Sequence, residues 1–208
     1  VKALLTDEVL FVLENQDKAR KYRLKVPNGM LFFGPPGCGK TYFAENLAYQ
    51  SCLSFMMVKA SDIGSTFVHG TQGKIREFFD RAKATAPTIL CFDELDGMVP
   101  DRSKVTSEAI AGEVNEFLTQ LNNCSERGIF VIGTTNRPNM IDPAIMRSGR
   151  MDYLVYIPMP DKEARKELFR IHLDDRPQDD DIDLDALAAM TDGYVASDIE
   201  LIVNKTAL

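Results

Sequence analysis

The sequence predicts an α/β fold: a five-stranded parallel sheet flanked by helices, followed by a small, truncated helical subdomain. Three observations carry that expectation. Short apolar runs alternate with stretches of helical periodicity, the pattern of strand–helix–strand crossovers. The strand-like runs stop after Ile157, and the pattern beyond is helical. A chain of 208 residues with 45% hydrophobic content can bury one sizeable core with a small appendage. The division is expected near Pro160, giving a core over 1–160 and the first part of a helical subdomain over 161–208.

The first strand is Met30–Phe33, apolar throughout and closed by Gly34. Ser54–Val58, Thr88–Phe92, Ile129–Gly133 and Tyr153–Ile157 are the others. Between the second and third, GKIREFFDRAKATA spaces Ile75, Phe78, Phe79 and Ala82 as one face of a helix, which would lie on the sheet. SEAIAGEVNEFLTQL predicts a helix before the fourth strand. After the fifth, helices are expected over Lys162–Leu173 and Leu184–Met190. A last one is announced by SDIE, with Ser197 as N-cap and Glu200 as its capping-box partner. The acidic DDRPQDDDID reads as a solvated inter-helix loop, lacking the glycine and spacing of a calcium loop.

Charge and cysteine usage bound the function. A net charge of −7 argues against a nucleic-acid footprint of clustered Lys and Arg. No apolar stretch approaches the roughly 20 residues of a membrane span, so no membrane segment is expected here. Four cysteines without CxxC pairing favour reduced thiols and a cytoplasmic setting. The chain begins at Val1 without Met and stops inside a helical pattern, so it reads as a piece of a longer protein.

The run GPPGCGKT, Gly34–Thr41, follows the first strand directly and fits GxxxxGK[ST]. Glycines there let successive backbone N–H groups turn inward, and a helix N-terminus adds its positive end. Pro36, Gly37, Cys38, Gly39, Lys40, Thr41 and Tyr42 would form a phosphate cradle, with Lys40 on the β and γ phosphates and Thr41 on Mg²⁺. The competing reading is a tight strand-to-helix turn that happens to match. In ILCFDELD, Asp93 leaves a buried strand as a second Mg²⁺ anchor, and Glu94 is placed to polarise water. Adjacent acids are also common in exposed turns. Asn136, in GTTNRP, ends the fourth strand at the edge where ligands gather in parallel sheets; an ordinary Asn-Arg-Pro turn reads the same way. Arg147 and Arg150 flank a Ser-Gly turn and suit a γ-phosphate as well as surface ion pairs.

In this order, GPPGCGKT, DELD, GTTNRP and IDPAIMRSGRMD resemble the AAA branch of the AAA+ ATPases, which includes valosin-containing protein, katanin and the proteasomal regulatory ATPases. The resemblance covers nearly the whole chain, including RIHL and TDGYVASDIELIV in the helical part. It implies a P-loop NTPase core of AAA+ type with a helical lid, in which the four motifs are Walker A, Walker B, sensor 1 and the second region of homology. The activity implied is Mg²⁺-dependent ATP hydrolysis (ATP in, ADP out) by a motor that unfolds, remodels or disassembles a protein substrate. The assembly implied is a homo-oligomeric ring, usually a hexamer, with Arg147 and Arg150 reaching the neighbouring subunit's nucleotide. The resemblance also assigns His172 and Ala196 to the nucleotide, and sets the sensor strand between the Walker strands, with Asn136 between Lys40 and Glu94. Otherwise His172 would be a satisfied helix histidine.

Phe67 and Val68, in GSTFVHGTQ, match the family's substrate-gripping pore loop, although Phe67 tucked under its own loop fits the residues too. The departures are His69 where glycine is usual, no arginine pair in AIAGEVNEF, and Tyr153 where arginine customarily follows GRMD. Two other functions compete. One is a nucleotide-dependent scaffold or switch with little turnover. The other is the ATPase half of a membrane-bound AAA protease, which would need a transmembrane segment and an HExxH motif outside this sequence.

Overall fold

The computed structural model describes residues 18, 21–22, 27–63, 70–105, 107–174, 176 and 182–206. Five strands, β1 (Gly29–Phe33), β2 (Ser54–Lys59), β3 (Thr88–Asp93), β4 (Ile129–Thr135) and β5 (Tyr153–Tyr156), form one sheet in the order β2-β3-β4-β1-β5. It is the five-stranded α/β sheet that the pattern predicts, with β4 between β1 and β3 as the family resemblance implies. Pairing is parallel from β2 through β3 and β4 to β1, with Gly29 opposite Val131 and Thr88 opposite Ile129. The described helices are α1 (Lys40–Gln50), α2 (Ala60–Ile63), α3 (Gly70–Ala84), α4 (Glu108–Leu121), α5 (Lys162–Leu173), α6 (Leu184–Met190) and α7 (Ala196–Thr206). None of them is long and apolar enough to cross a membrane.

The chain divides into two compact units. One holds the described residues up to Phe33 together with Thr41–Val155; the other holds Gly34–Lys40 with the residues from Tyr156 onward. In the first unit the central strands are apolar runs buried on both faces, which is why they do not alternate. Ile75, Phe79 and Ala82 of α3 and Val114, Phe117, Leu118 and Leu121 of α4 bury against them. Phe92 meets Phe117 edge-on at 4.7 Å between centroids. Phe78, expected on the same face as Phe79, sits at the rim of this core with the Arg81 guanidinium 5.5 Å from its ring. Strand β4 runs two residues beyond its apolar stretch, because the hydroxyls of Thr134 and Thr135 find carboxylate partners while buried.

In the second unit, Phe169 of α5 and Ile199 and Val203 of α7 form a small core, with Leu184 and Leu187 of α6 packed against it. Arg165, 5% exposed, satisfies that core's polar edge by donating to the carbonyls of Ala188 and Pro160. Asp161 and Asp183 cap α5 and α6. At α7 the expected cap is not the one found. The helix opens at Ala196, and the Asp198 carboxylate reaches back to accept from the Val195 amide at 3.1 Å. Ser197 therefore lies within the first turn, and its own amide donates to the Gly37 carbonyl at 3.2 Å.

Candidate functional site

The run from Gly34 to Gly39 connects β1 to α1, so the glycine-rich segment sits between strand and helix as its pattern requires. Gly37 has φ +75°, a left-handed conformation that glycine tolerates best. A Cβ on Gly37 would lie 2.4 Å from Ser197 Oγ and 2.7 Å from Val195 Cγ2, so the loop approaches the start of α7 closely only because that atom is missing. Lys40 is 7% exposed, and its ammonium donates to the carbonyls of Gly34 at 3.0 Å and Pro35 at 2.6 Å. The charge is thus held inside the loop it closes. Burial pushes the Cys38 thiol up against the opposing effect of Lys40, which keeps it neutral.

Across the first turn of α1, Thr41 Oγ1 donates to Asp93 Oδ1 at 2.9 Å. Thr134 Oγ1, at the end of β4, donates to the same oxygen at 2.5 Å and accepts the Glu94 amide at 3.2 Å. One hydroxyl therefore fixes both the carboxylate of Asp93 and the backbone of its neighbour. Glu94 is exposed and left-handed, with φ 55° and ψ 51°, and it turns the chain into a 3-10 turn at Leu95–Gly97. Non-glycine residues seldom hold that conformation, and where they do it often marks function. Thr135 repeats the device: its hydroxyl donates to Asp96 Oδ1 at 2.7 Å and accepts the Arg137 amide at 2.9 Å. Asn136 stands exposed between these two anchored residues.

The oxygen set around Asp93 is one carboxylate and two hydroxyls. Among the described residues no group of three or more His, Cys, Asp or Glu side chains is arranged to hold a metal. A single hard anchor beside a hydroxyl fits Mg²⁺, which keeps most of its waters and takes phosphate oxygens; it does not fit an all-protein cage or a zinc site.

Arg147 and Arg150 lie on another stretch, after a 3-10 turn at Pro143–Met146. Arg147 is exposed. Arg150 donates from Nε to Asn122 Oδ1 at 2.9 Å, at the C-cap of α4, and from Nη1 to the Ala144 carbonyl at 2.8 Å. Burial, then the like charges of Arg147 and Arg102, push its guanidinium below the usual arginine range. Among the described residues neither arginine forms an ion pair.

Comparison with known proteins decides the family. The ATPase family associated with various cellular activities (AAA) matches residues 30–159, and the AAA+ lid domain matches residues 181–208. The chain belongs to the AAA family of ATPases. It is 38% identical over 100% of its length to a cell division cycle protein 48 homolog of Archaeoglobus fulgidus, and it spans 28% of that relative.

Within this AAA chain the remaining candidates are spread over both units. Tyr42 is 61% exposed on α1. His172 lies half-buried in the last turn of α5, and Ala196 opens α7. The candidate pore-loop residues Phe67 and Val68, with His69, fall outside the described residues. Sequence reasoning missed Thr134, which ties the two acids together. The signal was the first threonine of GTTNRP, a polar residue continuing a strand that is apolar to its penultimate turn-point. It also missed Asn122 and Arg102, which have no local pattern to give them away.

Proposed function

We propose that this AAA domain binds ATP or ADP with Mg²⁺ and hydrolyses ATP as a motor acting on protein substrates. The reading rests chiefly on the oxygen cluster of Thr41, Asp93 and Thr134 with Glu94 beside it. The amides from Gly37 to Tyr42, after Pro36 and through Cys38 and Gly39, would cradle the phosphates, and Lys40 would exchange its carbonyl partners for phosphate oxygens. Thr41 and Asp93 would hold Mg²⁺, which supplies charge neutralisation on the phosphates when bound. Glu94 would orient the attacking water, and Asn136 would hydrogen-bond that water or the γ-phosphate without adding charge. His172 and Ala196 would contact the nucleoside side.

Arg147 and Arg150 would act on the nucleotide of an adjacent copy, and the domain would then work in a homo-oligomeric ring, commonly a hexamer. Arginines supplied from a neighbour are worth about 10³–10⁵ in rate. The core is taken as 1–160 and the lid as 161–208, with Phe67 and Val68 on a substrate-gripping loop in a cytoplasmic protein-remodelling machine. The test is Glu94→Gln in the full-length protein. Retained ATP affinity with steady-state phosphate release reduced at least a hundredfold, on the order expected for a general base, supports the reading; unchanged phosphate release overturns it.

A further inference from the structure

Just past the two acids, the chain folds back on the segment that leads to the arginines. Pro100 bridges antiparallel to Ile141, the Asp101 amide donates to the Met140 carbonyl at 2.9 Å, and the Asp142 amide donates to the Val99 carbonyl at 3.0 Å. Lys104 adds its ammonium to the Asn139 carbonyl at 3.0 Å. At the end of this ribbon the Asp142 carboxylate is 3% exposed. Its Oδ1 accepts the Ala144 amide at 2.9 Å, capping the 3-10 turn whose next residue is Arg147. Its Oδ2 accepts Arg102 Nε at 2.6 Å and the Arg102 amide at 3.2 Å, while Arg102 Nη2 reaches Oδ1 at 3.2 Å. The remaining arm of the guanidinium donates to Asn115 Oδ1 on α4 at 2.5 Å. The same helix ends at Asn122, the partner of Arg150.

We propose that Arg102 is a positioning residue for the arginine pair, its fork on Asp142 and its arm on Asn115 holding in place the turn that ends in Arg147. The inference rests on the proposed action of Arg147 on a neighbouring copy. A planar fork matches the two carboxylate oxygens and leaves a further donor for α4, a geometry that lysine cannot reproduce. A misplacement of about 1 Å in such a charged group can cost about a hundredfold in rate. A merely structural ion pair would instead change stability and leave the neighbour's chemistry alone.

The test uses the full-length protein with Arg102→Ala, Arg102→Lys, Arg147→Ala and Glu94→Gln, measuring ATP turnover and ATP affinity singly and in mixtures. Arg102→Ala is expected to lower kcat about tenfold or more with KM for ATP within about twofold, and Arg102→Lys to recover part of the loss. Mixing Arg102→Ala with Glu94→Gln subunits should restore turnover, because Glu94→Gln subunits bring a well-placed Arg147 to intact sites. Unchanged kcat, a loss confined to ATP affinity, or no rescue in mixtures where Arg147→Ala is rescued overturns the inference alone. Full turnover by Arg147→Ala overturns it together with the neighbour-acting role beneath it. Should Arg102→Ala not fold by circular dichroism, Arg102→Lys decides by the same kcat and mixing readouts.

Discussion

The hydroxyl of Thr41 lies 2.9 Å from Oδ1 of Asp93, joining the first turn of α1 to the end of β3. Replacing Asp93 by Asn preserves shape and removes the charge that a divalent cation needs. ATP affinity with Mg²⁺ is expected to fall about tenfold or more, and affinity measured in chelator to change little. Titration calorimetry under both conditions checks this.

Thr134 carries two bonds on one oxygen, to Asp93 and from the Glu94 amide. Thr134→Val keeps the branched shape in the buried strand and removes both. It is expected to cost about 1–3 kcal/mol in urea denaturation, as for other buried groups left without a partner. Turnover should drop as well, and Thr134→Ser should recover most of both losses.

Glu94 holds a left-handed backbone that glycine adopts more readily. Glu94→Gly is expected to raise unfolding stability by about 1 kcal/mol while abolishing hydrolysis. Denaturant midpoints measured beside phosphate release would show the two properties moving in opposite directions.

Burial alone would push the Asp142 carboxyl up, but the hydrogen bonds from Arg102 and from the Ala144 amide outweigh it and hold the group below its ordinary 3.8. A carboxyl depressed on folding contributes stability that is present above its unfolded value and lost as pH falls through the folded one. The unfolding free energy should therefore decline below about pH 4. Asp142→Asn should be less stable at neutral pH and show a flatter acid limb.

Gly37 and Gly39 share a positive φ, yet only Gly37 has neighbours in the way. Gly39→Ala should cost about 1 kcal/mol of backbone strain. Gly37→Ala must in addition displace Ser197 and Val195, so the larger fall in thermal midpoint and in ATP affinity is expected there.

The centre of the sheet was legible because β1, β3 and β4 are buried apolar runs between turn signals, and the phosphate-loop segment because glycine spacing is a local signature. What was not legible is nonlocal. Nothing near Thr134 announces that its hydroxyl meets Asp93, 41 residues away in sequence. Arg102 and Asp142 are separated by 40 residues, and nothing local pairs them before the ribbon at Pro100 and Ile141 brings them together. At α7 the sequence offers Ser197 and Asp198 side by side as capping residues, and the pattern alone does not tell that Asp198 takes the Val195 amide while the Ser197 amide goes to Gly37 in the distant loop.

Strand β4 has a hydrogen-bonded strand on either side, and its pairing with β1 runs to Thr135 itself, opposite Phe33. The β3 pairing stops at Gly133, so the last two residues of the strand are held by β1 on one flank and by their own hydroxyls, on Asp93 and Asp96. Asn136, one peptide further on, stands exposed at the end of that anchored strand. Substitution of an exposed side chain just past a buried, anchored strand is expected to leave the fold intact, so changes at position 136 should register in chemistry before they register in stability.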